Sequence, residues 1–81
     1  MKEIRFSRRA YKALQSMQPT RKVAIIEKLH AYARGETVDI KKMIGLPYFR
    51  IRVGQDRVII DDLGVVVMVM NVGPRGSIYK E

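Results

Sequence analysis

Arg50, Arg52, Arg57, Arg75 and Tyr79 all lie in the second half of this 81-residue chain. A guanidinium presents a planar fork of donors that matches phosphate oxygens, and it keeps its charge at any ordinary pH. A tyrosine adds a stacking face and a phenolic hydroxyl. Several arginines and a tyrosine between Leu46 and Tyr79, with no carboxylate at the matching positions, predict a surface built to hold phosphate.

The positions of these arginines follow from strand register. Tyr48 to Val53 alternates between two kinds of side chain, and Arg57 to Ile60 returns after Gly54-Gln55, a pair suited to a type II′ turn with glycine first. With that turn, Val53 pairs with Asp56, Arg52 lies opposite Arg57, and Arg50 lies opposite Ile59. Ile51 then meets Val58 and Phe49 meets Ile60, so the apolar set collects on one face and the arginines on the other. A slip by one residue would place Arg57 among Val53, Ile51 and Phe49, which burial forbids. Two like charges directly opposite cost about a few tenths of a kcal/mol or more. Holding an anion would offset that cost; so would splaying into solvent with Asp56 or Asp61 as balance. Tyr48 shares the arginine face, where it can stack on a base or cover the end of the sheet.

The elements that position this hairpin are readable in outline. Lys2 to Phe6 alternates as a short strand. Ser7 stands at a helix N-cap, and Ala10, Ala13, Leu14 and Met17 give a first amphipathic helix over about 7–17. Pro19 suits the first turn of a second helix, whose stripe is Val23, Ile26, Leu29 and Ala33 and whose stop is Gly35. Residues 36–47 form a connector with one helical turn expected around Ile40 to Ile44. Asp61 to Gly64 reads as a turn, and Val65 to Met70 as a strand covered on both sides. Gly73-Pro74 is expected to break the sheet before a short strand at Ser77 to Tyr79. The sum is a single α+β domain: an antiparallel sheet of three to four strands plus an N-terminal strand, with a helical hairpin packed on one face.

Composition narrows the function. Sixteen Lys and Arg against eight Asp and Glu leave a net charge of +8, which points to nucleic acid, an acidic partner or an anionic surface. The absence of cysteine removes disulfides, thiol nucleophiles and thiolate metal sites. The single histidine, His30, cannot form a two-histidine pair. The N-terminal residues lack the apolar core of a signal peptide, and the Val65–Met70 run is too short to cross a bilayer, so a cytoplasmic protein with no membrane partner is expected.

The order Leu46-Pro47-Tyr48-Phe49-Arg50-Ile51-Arg52-Val53, then Arg57-Val58-Ile59-Ile60, then Val65 to Met70, then Val72-Gly73-Pro74-Arg75 and Tyr79, resembles the RelE/ParE superfamily of toxins from type II toxin–antitoxin modules. The resemblance spans essentially the whole chain. It implies a RelE-like mRNA interferase, an endoribonuclease that cuts message in the ribosomal A site through attack of the substrate 2′-hydroxyl on the adjacent phosphate. It implies no cofactor and no metal. The partners it implies are a cognate antitoxin, in a hetero-oligomer, and the ribosome with its mRNA.

The resemblance also distributes roles. Arg57 would stabilise the phosphorane-like transition state, Arg50 and Arg52 would position the backbone, Arg75 would bind the phosphate or help neutralise the leaving oxygen, and Tyr79 would deprotonate the 2′-hydroxyl. Better-known members carry lysine on the first strand of the hairpin. Arginine exchanges protons poorly, so proton transfer falls more heavily on Tyr79. Arg50, Arg52, Tyr48, Lys41 and Lys42 form the expected RNA-binding set. Two other readings stay open: a ParE-like inhibitor of DNA gyrase, and an RNA-binding relative with weak catalysis. His30 as a general base and Asp61-Asp62 as a carboxylate pair are weaker candidates, the first lying on a supporting helix and the second in a turn.

Overall fold

The structure, a computed structural model, describes residues 1–74. The elements in order are β1 (Glu3–Phe6), α1 (Arg8–Gln15), α2 (Pro19–Ala33), β2 (Ile40–Lys42), β3 (Phe49–Val53), β4 (Asp56–Asp62) and β5 (Val66–Pro74). Arg75, Tyr79 and the expected strand at Ser77 to Tyr79 lie outside the described residues. The strands form one sheet in the order β1-β5-β4-β3-β2. All ladders are antiparallel except the parallel pair of β1 with β5, and the helical hairpin carries the chain from β1 at one edge of the sheet to β2 at the other. The expected α+β architecture is present, with β1 joined to four further strands.

Both helices begin and end as their sequences dictate. The Ser7 hydroxyl accepts from Ala10 N–H and caps α1. Pro19 opens α2, where its missing N–H has no intrahelical partner to lose. At the far end Gly35 adopts φ +86°, while its N–H donates to Tyr32 O and Glu36 N–H donates to Ala31 O. These paired bonds are a Schellman cap, which a side chain at position 35 would strain. The buried stripe of α2 is Ile25, Leu29 and Ala33. Val23, expected in that stripe, is 54% exposed, and packing against the sheet buries Ile25 in its place, one turn before Leu29.

The core is the space between the helix pair and one face of the sheet. Ala10, Leu14, Ile25 and Leu29 from the helices meet Ile51, Val53, Val58, Ile60, Val67, Val69 and Val72 from the strands. Residues 40–42 form a strand rather than the expected helical turn. Edge pairing places Ile40 beside Ile51, where it packs on the core, and satisfies backbone groups that an isolated turn would leave to water. Asp61 and Asp62 extend β4, so the turn falls on Leu63 to Val65, with Gly64 at φ +97°. The strand buried on both faces is β4, over Asp56 to Ile60, and not Val65 to Met70. On β5 only Val67 and Val69 of that run are buried, and Val65 is 79% exposed.

Gly73 and Pro74 continue β5 instead of ending it, paired with Arg57 and Asp56. β1 pairs with β5 only through Val66 to Val69, so beyond that point one side of β5 is free of a described strand and tolerates proline. A bulge makes this continuation possible. Ile60 pairs with Val69 but Ile59 pairs with Asn71, leaving Met70 without a partner on β4. The extra residue inverts the alternation, so Val67, Val69 and Val72 all reach the core while Asn71 and Gly73 turn to the opposite face. The Ser7 hydroxyl donates to Met70 O at 2.9 Å, so the residue that caps α1 also satisfies the bulge carbonyl.

Candidate phosphate-binding site

The β3–β4 register is the one the hairpin sequence predicts. Phe49 pairs with Ile60, Arg50 with Ile59, Ile51 with Val58, Arg52 with Arg57 and Val53 with Asp56. The face away from the helices carries two rows of side chains across the sheet. One is Lys41, Arg50, Ile59 and Asn71; the other is Arg52, Arg57 and Gly73. Tyr48 continues the face at the start of β3, where its carbonyl accepts from Met43 N–H. Lys42 does not join. It follows Lys41 on β2 and therefore takes the other face, where its ammonium donates to Leu46 O at 3.1 Å.

The two opposed arginines occupy different environments. Arg52 is exposed, and its Nε lies 3.8 Å from Asp39 Oδ2, with both side chains more than half accessible. Such a pair is worth little in water. Asp39, rather than Asp56 or Asp61, is thus the carboxylate that balances Arg52. Arg57 is only 5% exposed, and its Nη1 donates to the Asp56 carbonyl across a long 3.4 Å. Its Nε has no hydrogen-bond partner, and among the described residues no carboxylate forms an ion pair with it. A buried cation left in this state costs free energy that an anionic ligand would recover. Ile59, buried beside it, supplies an apolar floor that lowers the local dielectric and strengthens any contact to a phosphate oxygen.

A cleft of about 400 Å³ opens on this guanidinium, lined by Arg52, Gly54, Gln55, Arg57 and Pro74. The structure therefore brings Arg50, Arg52, Arg57, Lys41 and Tyr48 to one face and leaves Lys42 on the other. Sequence reasoning missed Asp39, whose place depends on β2 being a strand, and Arg21 with Asp56. The Arg21 Nε and Nη2 donate to the two Asp56 carboxylate oxygens at 3.0 and 2.5 Å. That hydrogen bonding holds the Arg21 pKa above its ordinary value against the opposing effect of desolvation. Asp56 is 3% exposed, a buried carboxylate revealed only by the contact between two distant segments of the chain.

The weaker candidates fall elsewhere. His30 is exposed on α2. Asp62 accepts from the Tyr32 hydroxyl, Lys2 Nζ and Gly64 N–H, an arrangement that ties the β4–β5 turn to α2 and the N-terminus. Burial opposes ionisation of Asp62, but those three donors prevail and hold its pKa below the usual carboxylate value. Burial, and then the bond to Asp62, push the Tyr32 phenol up to about 12. Among the described residues no three His, Asp or Glu side chains gather as metal ligands, and no helix is long and apolar enough to cross a membrane.

No protein-family model matches the chain, and no curated protein matches it. Solved structures do. A chain of the RelB–RelE antitoxin–toxin complex from Methanococcus jannaschii superposes with a TM-score of 0.77 at 27% identity, over 94% of this chain and 95% of that one. This is a RelE-like chain. The RelE–RelB complex of Pyrococcus horikoshii OT3 gives 0.73 at 24% identity, over 94% and 97% of the two chains. The intact RelBE complex of E. coli gives 0.79 at 22%, over 91% and 96%. With those two the RelE-like chain shares the fold.

Proposed function

We propose that this protein is the toxin of a type II toxin–antitoxin pair and an endoribonuclease that cuts ribosome-bound mRNA in the A site. The observation that carries the reading is Arg57, a buried guanidinium without a carboxylate partner, opposite Arg52 and open to a cleft. In the reaction the substrate 2′-oxygen forms a bond to the adjacent phosphorus as the bond to the 5′-oxygen breaks. Tyr79 takes the 2′-hydroxyl proton, and the departing 5′-oxygen takes a proton from water, leaving a 2′,3′-cyclic phosphate. Arg57, with Arg75, neutralises the charge that grows on the phosphoryl oxygens, and no metal ion is required. Arg50, Arg52, Lys41 and Tyr48 hold the flanking strand. A cognate antitoxin covers this basic face, and the pair acts in the cytoplasm.

The test is a translation extract supplied with purified toxin and a defined message. Cleavage within ribosome-bound codons, lost in R57A, is the expected result. Folded protein that leaves message intact while trapping gyrase–DNA cleavage complexes would replace this reading with a ParE-like one.

A further inference from the structure

The buried carboxylate of Asp56 has no part in the reaction just described, yet it belongs to the residue next to Arg57. Adjacent strand residues face opposite ways, so the Asp56 side chain lies on the helix side of β4 and the Arg57 side chain on the cleft side. The Arg57 guanidinium nevertheless folds back onto the Asp56 carbonyl. A buried carboxylate so near would be the strongest available competitor for that guanidinium, because charges interact strongly where water is scarce. Arg21, in the first turns of α2, removes the competition by binding both Asp56 oxygens in a fork-to-fork pair. The Arg21 side chain is 41% accessible against 4% for Asp56, so the helix reaches in from the surface to neutralise a carboxylate sealed inside.

We infer that Arg21 is a positioning residue: by holding Asp56 on the helix side of the sheet, it leaves the Arg57 guanidinium available to an incoming phosphate. This rests on Arg57 being the phosphate-binding group. It makes the two halves of one ion pair unequal. Loss of Arg21 releases an anion beside Arg57; loss of the Asp56 charge does not. A pair that merely staples the hairpin to the helix would be broken equally by either change.

The experiment titrates inorganic phosphate into the isotopically labelled full chain and follows the Arg57 Nε–H resonance by NMR, with folding checked by circular dichroism. Wild type and D56N are expected to show a saturable shift of similar midpoint. R21Q is expected to weaken phosphate by about tenfold or more, R21Q/D56N to recover it, and R21K to lose much less than R21Q. Equal weakening by R21Q and D56N, an R21Q midpoint like wild type, or no shift at Arg57 in wild type would each overturn the inference. If R21Q does not fold, the comparison of R21K with D56N decides: a weakening in D56N as large as in R21K or larger overturns it. Wild type that binds phosphate at Arg57 but cleaves no message would remove the nuclease reading and leave this inference standing.

Discussion

Arg52 and Arg57 stand directly opposite each other on the β3–β4 ladder, one exposed and loosely paired with Asp39, the other buried with Nε unpartnered. Replacing Arg57 by methionine removes the buried charge and keeps most of the volume. Cleavage of ribosome-bound message should fall by about 10²–10³-fold, the usual loss on removing a donor aimed at a transition-state oxyanion. Chemical denaturation should give R57M a stability equal to wild type or about 1 kcal/mol higher, since no carboxylate is left unpaired and the bond to the Asp56 carbonyl is long. A large loss of stability would show that the native fold needs this charge.

Charge reversal at Arg52 tests the same pair from the exposed side. In R52E the new carboxylate faces Arg57 across the ladder and should occupy it. The like-charge contact with Arg57 becomes favourable while the loose pair with Asp39 becomes unfavourable, so stability should change by no more than about a few tenths of a kcal/mol while cleavage drops by about tenfold or more. Unchanged cleavage in a folded R52E would separate Arg52 from the site.

Ser7 joins two features that the sequence keeps far apart. Its hydroxyl accepts from Ala10 N–H at the start of α1 and donates to the Met70 carbonyl in the β5 bulge. S7A therefore removes a cap and strands a carbonyl, and urea denaturation should show a loss of about 1–2 kcal/mol. An S7G variant should not recover it, because glycine replaces only part of the capping and none of the bond to Met70.

The Tyr32–Asp62 contact makes stability depend on pH at both ends. Asp62 is held below its ordinary value of 3.8, so its contribution is present above that pH and is lost as the pH falls through the lower folded value. Tyr32 is raised from 10.0 to about 12, so its contribution is full below pH 10.0 and is lost as the pH rises towards 12. Y32F should flatten the alkaline limb of a stability-against-pH curve and remove one late-titrating phenol from the ultraviolet titration. A Tyr32 phenol that ionises at its ordinary value of 10.0 would contradict the contact.

Local sequence determined whatever depends on neighbours a few residues apart. Ser7, Pro19 and Gly35 set the helix ends through capping and backbone geometry. Gly54, at φ +60°, and the alternation on each side of it set the hairpin register, since a one-residue slip would bury Arg57 among Val53, Ile51 and Phe49. That sufficed to place Arg50, Arg52 and Arg57 on one face. Contacts between distant segments were not legible. Ile40 to Lys42 had the local marks of a helical turn and became a strand because β3 offered an edge. Val23 fitted a stripe by spacing, yet packing chose Ile25. The Met70 bulge brought Val72 to the core and carried Gly73 and Pro74 into the sheet. The burial of Arg57 and the grip of Arg21 on Asp56 also belong to the tertiary structure. A side chain's charge is written in the sequence, but whether it meets water, a carboxylate or neither depends on which remote segments fold against it.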